Sequence, residues 1–316
     1  MRLSARKLRG AFDHVADRGY QPRKKRLHSN KESFTTLHTH FLRSLQSQDY
    51  SQATIASYAV DLQLFGSWLQ QHNLAALHLS DTDLIEYKNF VRFKQHRQPA
   101  TINRYFATLR RFYHWLQRMD YLATPPCMPR CLAQPSGAVR WLSASEQRRL
   151  LRVTKQQPHQ RNSAVIVLLL HTGLRASELC ALQWRDICMT QRSGSLYVRQ
   201  GKGQRERRLP LNTSARTAMQ QLGYEHHAHS SELLLQGQRG ALVARSLQRI
   251  VTHCGRQADI TQLSPHRLRH TFCKNLIDAG VGLEVVARLA GHANIQTTRR
   301  YCEPGWQDLT AGVAML

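Results

Sequence analysis

The sequence predicts a mainly α protein with a small β-hairpin, divided into a helical domain and a following α+β domain. Three observations carry this. Apolar residues recur at helical spacing through most of the chain; a single cluster of prolines and a glycine interrupts that pattern near the middle; and one strand–turn–strand signal stands alone in the second half. A length of 316 residues also suits two domains at about 150 residues each.

Residues 1–30 form a basic arm, in which Arg23, Lys24, Lys25 and Arg26 make a run suited to phosphate contacts. Residues 31–124 read as all-helical. Ile55, Tyr58, Leu62, Phe65 and Leu69 form one apolar stripe; Ser80 and Asp81 precede a second stretch through Leu84, Ile85, Tyr87 and Phe90. A third stripe runs Ile102, Tyr105, Leu109, Phe112 and Leu116, and the opposite face carries Arg104, Arg110, Arg111 and Arg118. A helix apolar on one side and arginine-rich on the other suits a domain lying on DNA, so Arg104, Arg110 and Arg111 are candidate DNA contacts.

Pro125, Pro126, Pro129, Pro135 and Gly137 then mark a boundary, and residues 125–140 are expected to be an extended linker. Such a linker would let two domains grip opposite sides of a duplex as a C-shaped clamp. The second domain, residues 141–316, opens with Ser143-Ala-Ser-Glu146, which has capping-box spacing. Helical segments continue to about Leu182. Ser195 to Arg199 alternates as a strand, Gly201-Lys-Gly203 makes a turn, and Arg207 to Leu211 returns as a second strand. The remainder is mostly helical.

Charge narrows the partner. The chain holds 45 Lys and Arg against 20 Asp and Glu, a formal net charge of +25. That excess calls for a polyanion, of which nucleic acid is the commonest. The seven cysteines include no paired zinc-finger spacing, and no apolar run reaches the about 20 residues of a membrane helix. A cytoplasmic protein with reduced thiols, no membrane association and no bound metal is expected. Glu225-His-His-Ala-His229 is rich in potential ligands but follows Gly223 and precedes Ser230-Ser231, so a polar loop is expected there.

Four short stretches carry the chemistry. In Leu263-Ser-Pro-His-Arg-Leu-Arg-His-Thr-Phe272, Ser264 and Pro265 start a helix, and His266 and Arg269 share the face of its first turn. Helix N-terminal N–H groups add to a phosphate-binding corner. In His171-Thr-Gly-Leu-Arg-Ala-Ser-Glu-Leu179, an apolar helix ends at a turn with Gly173, and Arg175 needs either a carboxylate or a phosphate; Glu178 is its candidate partner. Lys202 lies between two glycines at the hairpin tip in Gly201-Lys-Gly-Gln-Arg-Glu-Arg-Arg-Leu-Pro-Leu211. In Leu289-Ala-Gly-His-Ala-Asn-Ile-Gln-Thr-Thr-Arg-Arg-Tyr301, Gly291 ends a helix, His292 follows, and Tyr301 comes nine residues after that histidine.

Taken in order, these stretches resemble the tyrosine recombinase family of phage integrases and Xer-like recombinases. The resemblance spans about residues 35–316 and places the family's catalytic set on Arg175, Lys202, His266, Arg269, His292 and Tyr301, with Glu178 in support. It implies a helical core-binding domain and an α+β catalytic domain clamped on duplex DNA. It implies Tyr301 as nucleophile, a 3′-phosphotyrosyl intermediate, and two arginines in place of a metal, so no metal and no ATP are expected. It also implies an inverted-repeat core site, a homotetramer on DNA that acts alone or with a partner recombinase or accessory protein, and a C-terminal tail docking into a neighbouring protomer. A mobile-element role (integration or cointegrate resolution) or dimer resolution fits such an enzyme. A type IB topoisomerase shares the chemistry, and a non-catalytic regulator could share the scaffold; the complete residue set and the apolar segment Leu309 to Leu316 favour the recombinase.

Overall fold

The computed structural model describes residues 33–134, 140–199, 206–237, 240–292, 294–299, 301 and 313–314. The basic arm with Arg23, Lys24, Lys25 and Arg26, the hairpin tip with Lys202, and most of the C-terminal tail lie outside the described residues. The chain divides into two compact units at Ser136/Gly137.

The first unit is built on four helices, α1 (Phe34–Ser47), α2 (Gln52–Gln71), α3 (Asp81–Asn89) and α4 (Pro99–Arg118), with α3 running on into one wider π-type turn, Phe90–Lys94. Their starts follow from side chains that satisfy otherwise orphaned N–H groups. Ser33 and Ser51 accept from the backbone of Thr36 and Thr54, Ser80 and Asp83 form a reciprocal capping box, and Pro99 sits in the first turn of α4. The three apolar stripes meet in one core, which buries Leu62, Phe65, Leu84, Tyr87, Ile102 and Phe112 together with Leu37, Phe41 and Leu45 of α1, whereas Ile85 of the second stretch is exposed to solvent.

The segment after α4 departs from the extended linker expected over 125–140. Asn103 exchanges two 2.8 Å hydrogen bonds with the backbone of Leu132, Lys88 Nζ donates to Arg130 O, and Cys127 N donates to Asp81 Oδ1. Met128 and Leu132 pack against the helical core. Proline removes backbone donors but leaves carbonyls and apolar rings, so a proline-rich stretch can line a folded surface as readily as span a gap.

The second unit surrounds α6 (Gln160–Thr172), whose Val165, Ile166, Leu168 and Leu169 are fully buried. Helices α5 (Ala144–Lys155), α7 (Ala176–Ala181), α8 (Thr213–Gln221), α9 (Tyr224–His227), α10 (Ala244–Gln257), α11 (Pro265–Asp278), α12 (Leu283–Ala290) and α13 (Gln296–Arg299) complete its helical part. The expected hairpin is present as β2 (Gly194–Val198) and β3 (Arg207–Pro210), paired antiparallel with Leu196 opposite Leu209. A short strand, β1 (Ile187–Met189), extends it to three, and β4 (Gln236–Gly237) and β5 (Gly240–Ala241) form a separate hairpin. Both capping predictions hold: Ser143 and Glu146 cap α5, and Ser264 caps α11 with Pro265 in its first turn.

The stretch 225–229, expected to be a polar loop, is partly helical. In α9, His227 lies stacked 5.3 Å from the Trp184 ring and approaches Glu232. Among the described residues no group of three His, Cys, Asp or Glu side chains is placed to hold a metal, and no helix is long and apolar enough to cross a membrane.

Candidate active site

The site begins where α6 stops. Gly173 takes a left-handed conformation (φ 63°), which closes the helix end. A Cβ at Gly173 would stand 2.3 Å from the Phe272 ring of α11, so the residue is fixed both by its backbone angle and by its neighbour. Two residues later Arg175 caps α7. Its backbone N–H donates to Glu178 Oε2 and its Nη1 to Glu178 Oε1, at 2.8 and 2.7 Å.

Glu178 holds a second arginine as well. Arg207, on β3, donates from Nη1 to Oε1 at 3.0 Å and from Nη2 to Oε2 at 2.8 Å. Burial alone would raise the Glu178 pKa. The hydrogen bonds from Arg207 and from the Arg175 backbone outweigh that and hold it at about 2. The carboxylate is therefore ionised at any working pH and orients two guanidinium groups.

Both arginines also reach the turn that ends α12. Arg207 Nε donates to Leu289 O at 3.1 Å, and Arg175 Nη2 donates to Gly291 O at 2.8 Å. Gly291 is left-handed (φ 67°), and a Cβ there would lie 2.8 Å from Arg207 Nη1. This turn delivers His292. Its Nδ1 is 2.7 Å from the Thr298 hydroxyl of α13. Burial, then the positive charges of Arg269 and Arg175, with His266 and Arg207 beyond them, lower the His292 pKa to about 4. The imidazole is neutral at pH 7.

From α11 come the remaining groups. Arg269 is 3% exposed and donates from Nη1 to Gly173 O at 2.7 Å. Burial and the charge of Arg175 lower its pKa to about 10, which leaves it cationic at neutral pH. His266 is exposed at the start of the helix, and its ring meets the ring of His270 edge-on at 4.0 Å between centroids. His270 in turn is hydrogen-bonded through Nδ1 to the Tyr301 hydroxyl. Tyr301 is 2% exposed and packs with Cys273, Val286 and Ala290 in a small cluster separate from the main core. Its ring lies nearly parallel to that of His292, 6.4 Å away.

Arg175, Glu178, His266, Arg269, His292 and Tyr301 are thus linked through one set of contacts, although they come from well-separated stretches of sequence. Arg207 and His270 were not among the residues singled out from sequence. Both lie inside the quoted motifs, one on the returning strand and one directly after Arg269, but their partners are visible only in three dimensions.

The candidate DNA contacts lie on the first unit. Arg110 is exposed and lines a 320 Å³ pocket with His114, Pro125, Pro126 and Met128. Arg111 lies over the Tyr50 ring at 4.6 Å and donates to its hydroxyl. Arg104 departs from the expectation of a freely presented cation: its Nη1 is 2.7 Å from the carboxylate of Asp61, which is 2% exposed, and also donates to Ser57. Thr108 donates to the same carboxylate. A buried Asp between helices needs a cation, and Arg104 supplies it.

A helical unit followed by an α+β unit, in which arginines, histidines and a buried tyrosine are drawn together, defines a class: site-specific DNA recombinases of the tyrosine type. Residues 140–305 match the phage integrase family, and residues 39–119 match the phage integrase N-terminal SAM-like domain. The chain belongs to the phage integrase family. It is 31% identical over 271 residues to the tyrosine recombinase XerC of Halalkalibacterium halodurans, covering 80% of this chain and 88% of that protein. It is 32% identical over 261 residues to the tyrosine recombinase XerD of Pseudomonas putida, covering 79% and 86%. Among solved structures, the XerH site-specific recombinase bound to a palindromic difH substrate matches with a TM-score of 0.72 at 18% identity, over 89% of this chain and 84% of that one. The Tn1549 transposon integrase in complex with a circular intermediate DNA matches at 0.71 and 18%, over 90% and 99%. These last two likenesses concern the fold.

Proposed function

We propose that this recombinase cuts and rejoins duplex DNA through a 3′-phosphotyrosyl intermediate on Tyr301. The observation that carries the reading is the convergence of Arg175, Arg269, His292 and Tyr301 through shared hydrogen bonds, ring contacts and charge. The Tyr301 oxygen attacks one phosphodiester, the bond to the 5′-oxygen breaks, and a free 5′-hydroxyl leaves. One phosphodiester replaces another, so the step is reversible and needs no ATP. Negative charge grows on the non-bridging oxygens in the transition state. Arg175, held by Glu178, and Arg269, held by Gly173 O, clamp those oxygens, the part a metal ion plays in other phosphoryl-transfer sites. In the tautomer that carries its proton on Nε2, His292 accepts from the Thr298 hydroxyl at Nδ1 and donates an Nε2–H hydrogen bond to a non-bridging oxygen. Lys202 protonates the departing 5′-oxygen, and His266 takes part in proton transfer at the Tyr301 end.

The partner in this reading is double-stranded DNA with an inverted-repeat core site, acted on by a homotetramer in the cytoplasm. Arg110, Arg111 and the run Arg23 to Arg26 supply backbone contacts, with Arg104 contributing from its Asp61 tether. Relatives named XerC and XerD favour a Xer-type setting such as dimer resolution, whereas the basic arm favours a mobile element.

Covalent trapping tests the proposal. The protein is incubated with nicked fragments of its own locus and host DNA, denatured in SDS, and the attached DNA sequenced. Adducts on Tyr301 at one short inverted repeat establish the recombinase reading and reveal the setting. Adducts scattered without sequence preference indicate a type IB topoisomerase. Tight DNA binding with no adduct indicates a regulator or an enzyme that needs a partner recombinase.

A further inference from the structure

We infer that His270 is the group that accepts the Tyr301 proton when the tyrosine attacks DNA. The inference rests on the reading of Tyr301 as nucleophile. A general base must lie within hydrogen-bond reach of the proton it removes. On α11 the histidine that meets this condition is His270, whose Nδ1 is bonded to the Tyr301 hydroxyl. His266 touches the ring of His270, 4.0 Å between centroids. It therefore stands one step further out, exposed at the helix start, while Tyr301 is buried.

The helix dictates this order. Residues four apart on a helix stack one above the other, so His266 and His270 form a column along α11. The next turn of the same face carries Cys273, which packs against Tyr301. Burial raises the Cys273 thiol above its ordinary pKa, so it stays protonated and cannot serve as the base. The column thus runs from exposed His266 through half-buried His270 to the reacting hydroxyl.

The step balances as follows. The O–H bond of Tyr301 breaks and its proton passes to Nδ1 of His270, giving an imidazolium. The electron pair left on the tyrosine oxygen forms the bond to phosphorus, while the bond to the 5′-oxygen breaks and that oxygen takes a proton from a separate acid. The imidazolium returns its proton to Tyr301 when the strand is resealed, or passes it outward through His266.

The test uses the full-length protein and the duplex recovered by trapping, prepared as a nicked substrate that captures the covalent adduct. His270→Gln keeps a polar side chain of similar length but offers no base. It is expected to lower the single-turnover cleavage rate by about 100-fold or more, with DNA affinity and melting temperature near wild type. A second substrate carries sulfur in place of the bridging 5′-oxygen, so the leaving group needs no proton. The His270→Gln defect is expected to persist on that substrate, because the missing function lies on the tyrosine side. Cleavage by His270→Gln within about threefold of wild type, or full recovery on the sulfur substrate, overturns the inference. A wild-type protein that forms no adduct on Tyr301 overturns the underlying reading instead, so the two failures are distinct.

Discussion

Arg207 grips Glu178 through both terminal guanidinium nitrogens and both carboxylate oxygens, at 3.0 and 2.8 Å, while Arg175 binds the same two oxygens through its Nη1 and its backbone N–H. One acidic side chain therefore sets the position of a clamp arginine and, through Leu289 O and Gly291 O, of the turn that presents His292.

Glu178→Gln should be costly for that reason. It leaves two cationic groups facing an uncharged amide, and breaking a buried pair in this way costs about 3 kcal/mol. Chemical denaturation should show the loss, and cleavage should fall further than DNA affinity. The wild-type pair also predicts a pH window. The folded pKa of Glu178 is depressed from 4.5 to about 2, so its stabilisation is complete above the unfolded value and disappears as pH falls through that interval. Unfolding free energies of wild type and Glu178→Gln should converge on acidification.

His292 gives a window of its own. Its pKa is lowered from 6.5 to about 4, so the unfolded chain binds this proton more readily than the folded one. The contribution of the neutral imidazole to stability is present above 6.5 and is lost as pH falls from there toward 4. An NMR titration of the His292 ring should find it neutral at pH 6. Addition of a DNA phosphate should move its midpoint upward, because negative charge opposes the effect of Arg269 and Arg175.

Gly291→Ala tests the turn rather than a charge. The left-handed backbone costs an L-residue about 1–2 kcal/mol, and the new methyl group meets Arg207. The variant should bind DNA normally and cleave it poorly, with a lowered melting temperature. Unchanged cleavage would mean that the position of this turn is not critical.

Tyr301→Phe should bind DNA and form no covalent adduct, and Arg175→Lys should be severely impaired because a point charge does not replace a planar fork. Wild-type cleavage should proceed in EDTA. A strict requirement for a divalent cation in the trapping assay would contradict the arginine clamp.

Arg104 and Arg110 should differ in the property each chiefly affects. Arg110 is exposed on α4, and Arg110→Gln should reduce the salt dependence of DNA binding by about one unit of slope. Arg104 neutralises buried Asp61, so Arg104→Gln should chiefly lower the melting temperature of the helical unit.

Much of this architecture was legible in the sequence because the signals are local. Ser143 with Glu146, and Ser264 with Pro265, announce helix starts through contacts three residues apart. Gly173 and Gly291 announce helix ends through their backbone angles. The β2–β3 alternation follows from one buried face. What escaped depends on distant partners. Strand β1 is three residues long and exists through its register with β2. Arg104 reads as a surface cation until Asp61, 43 positions away, turns out to be buried beneath it. Segment 127–132 reads as a spacer because its attachments to Lys88, Asp81 and Asn103 leave no periodic mark. Arg207 and His270 stood in view beside residues that had been singled out, but only the folded chain shows what they touch.

The contact between Gly173 and Phe272 restricts how this chain can drift. The residue at 173 supplies the carbonyl that holds Arg269 and lies two positions before Arg175. Any side chain there must push Phe272, and with it α11, away from the end of α6. Neighbouring core positions can exchange one aliphatic group for another and recover by repacking. Position 173 has no comparable latitude, since any Cβ there meets Phe272 on the helix that carries Arg269. Random mutagenesis scored for strand exchange should therefore find glycine alone at 173, while a screen scored for soluble expression should still recover alanine or serine there.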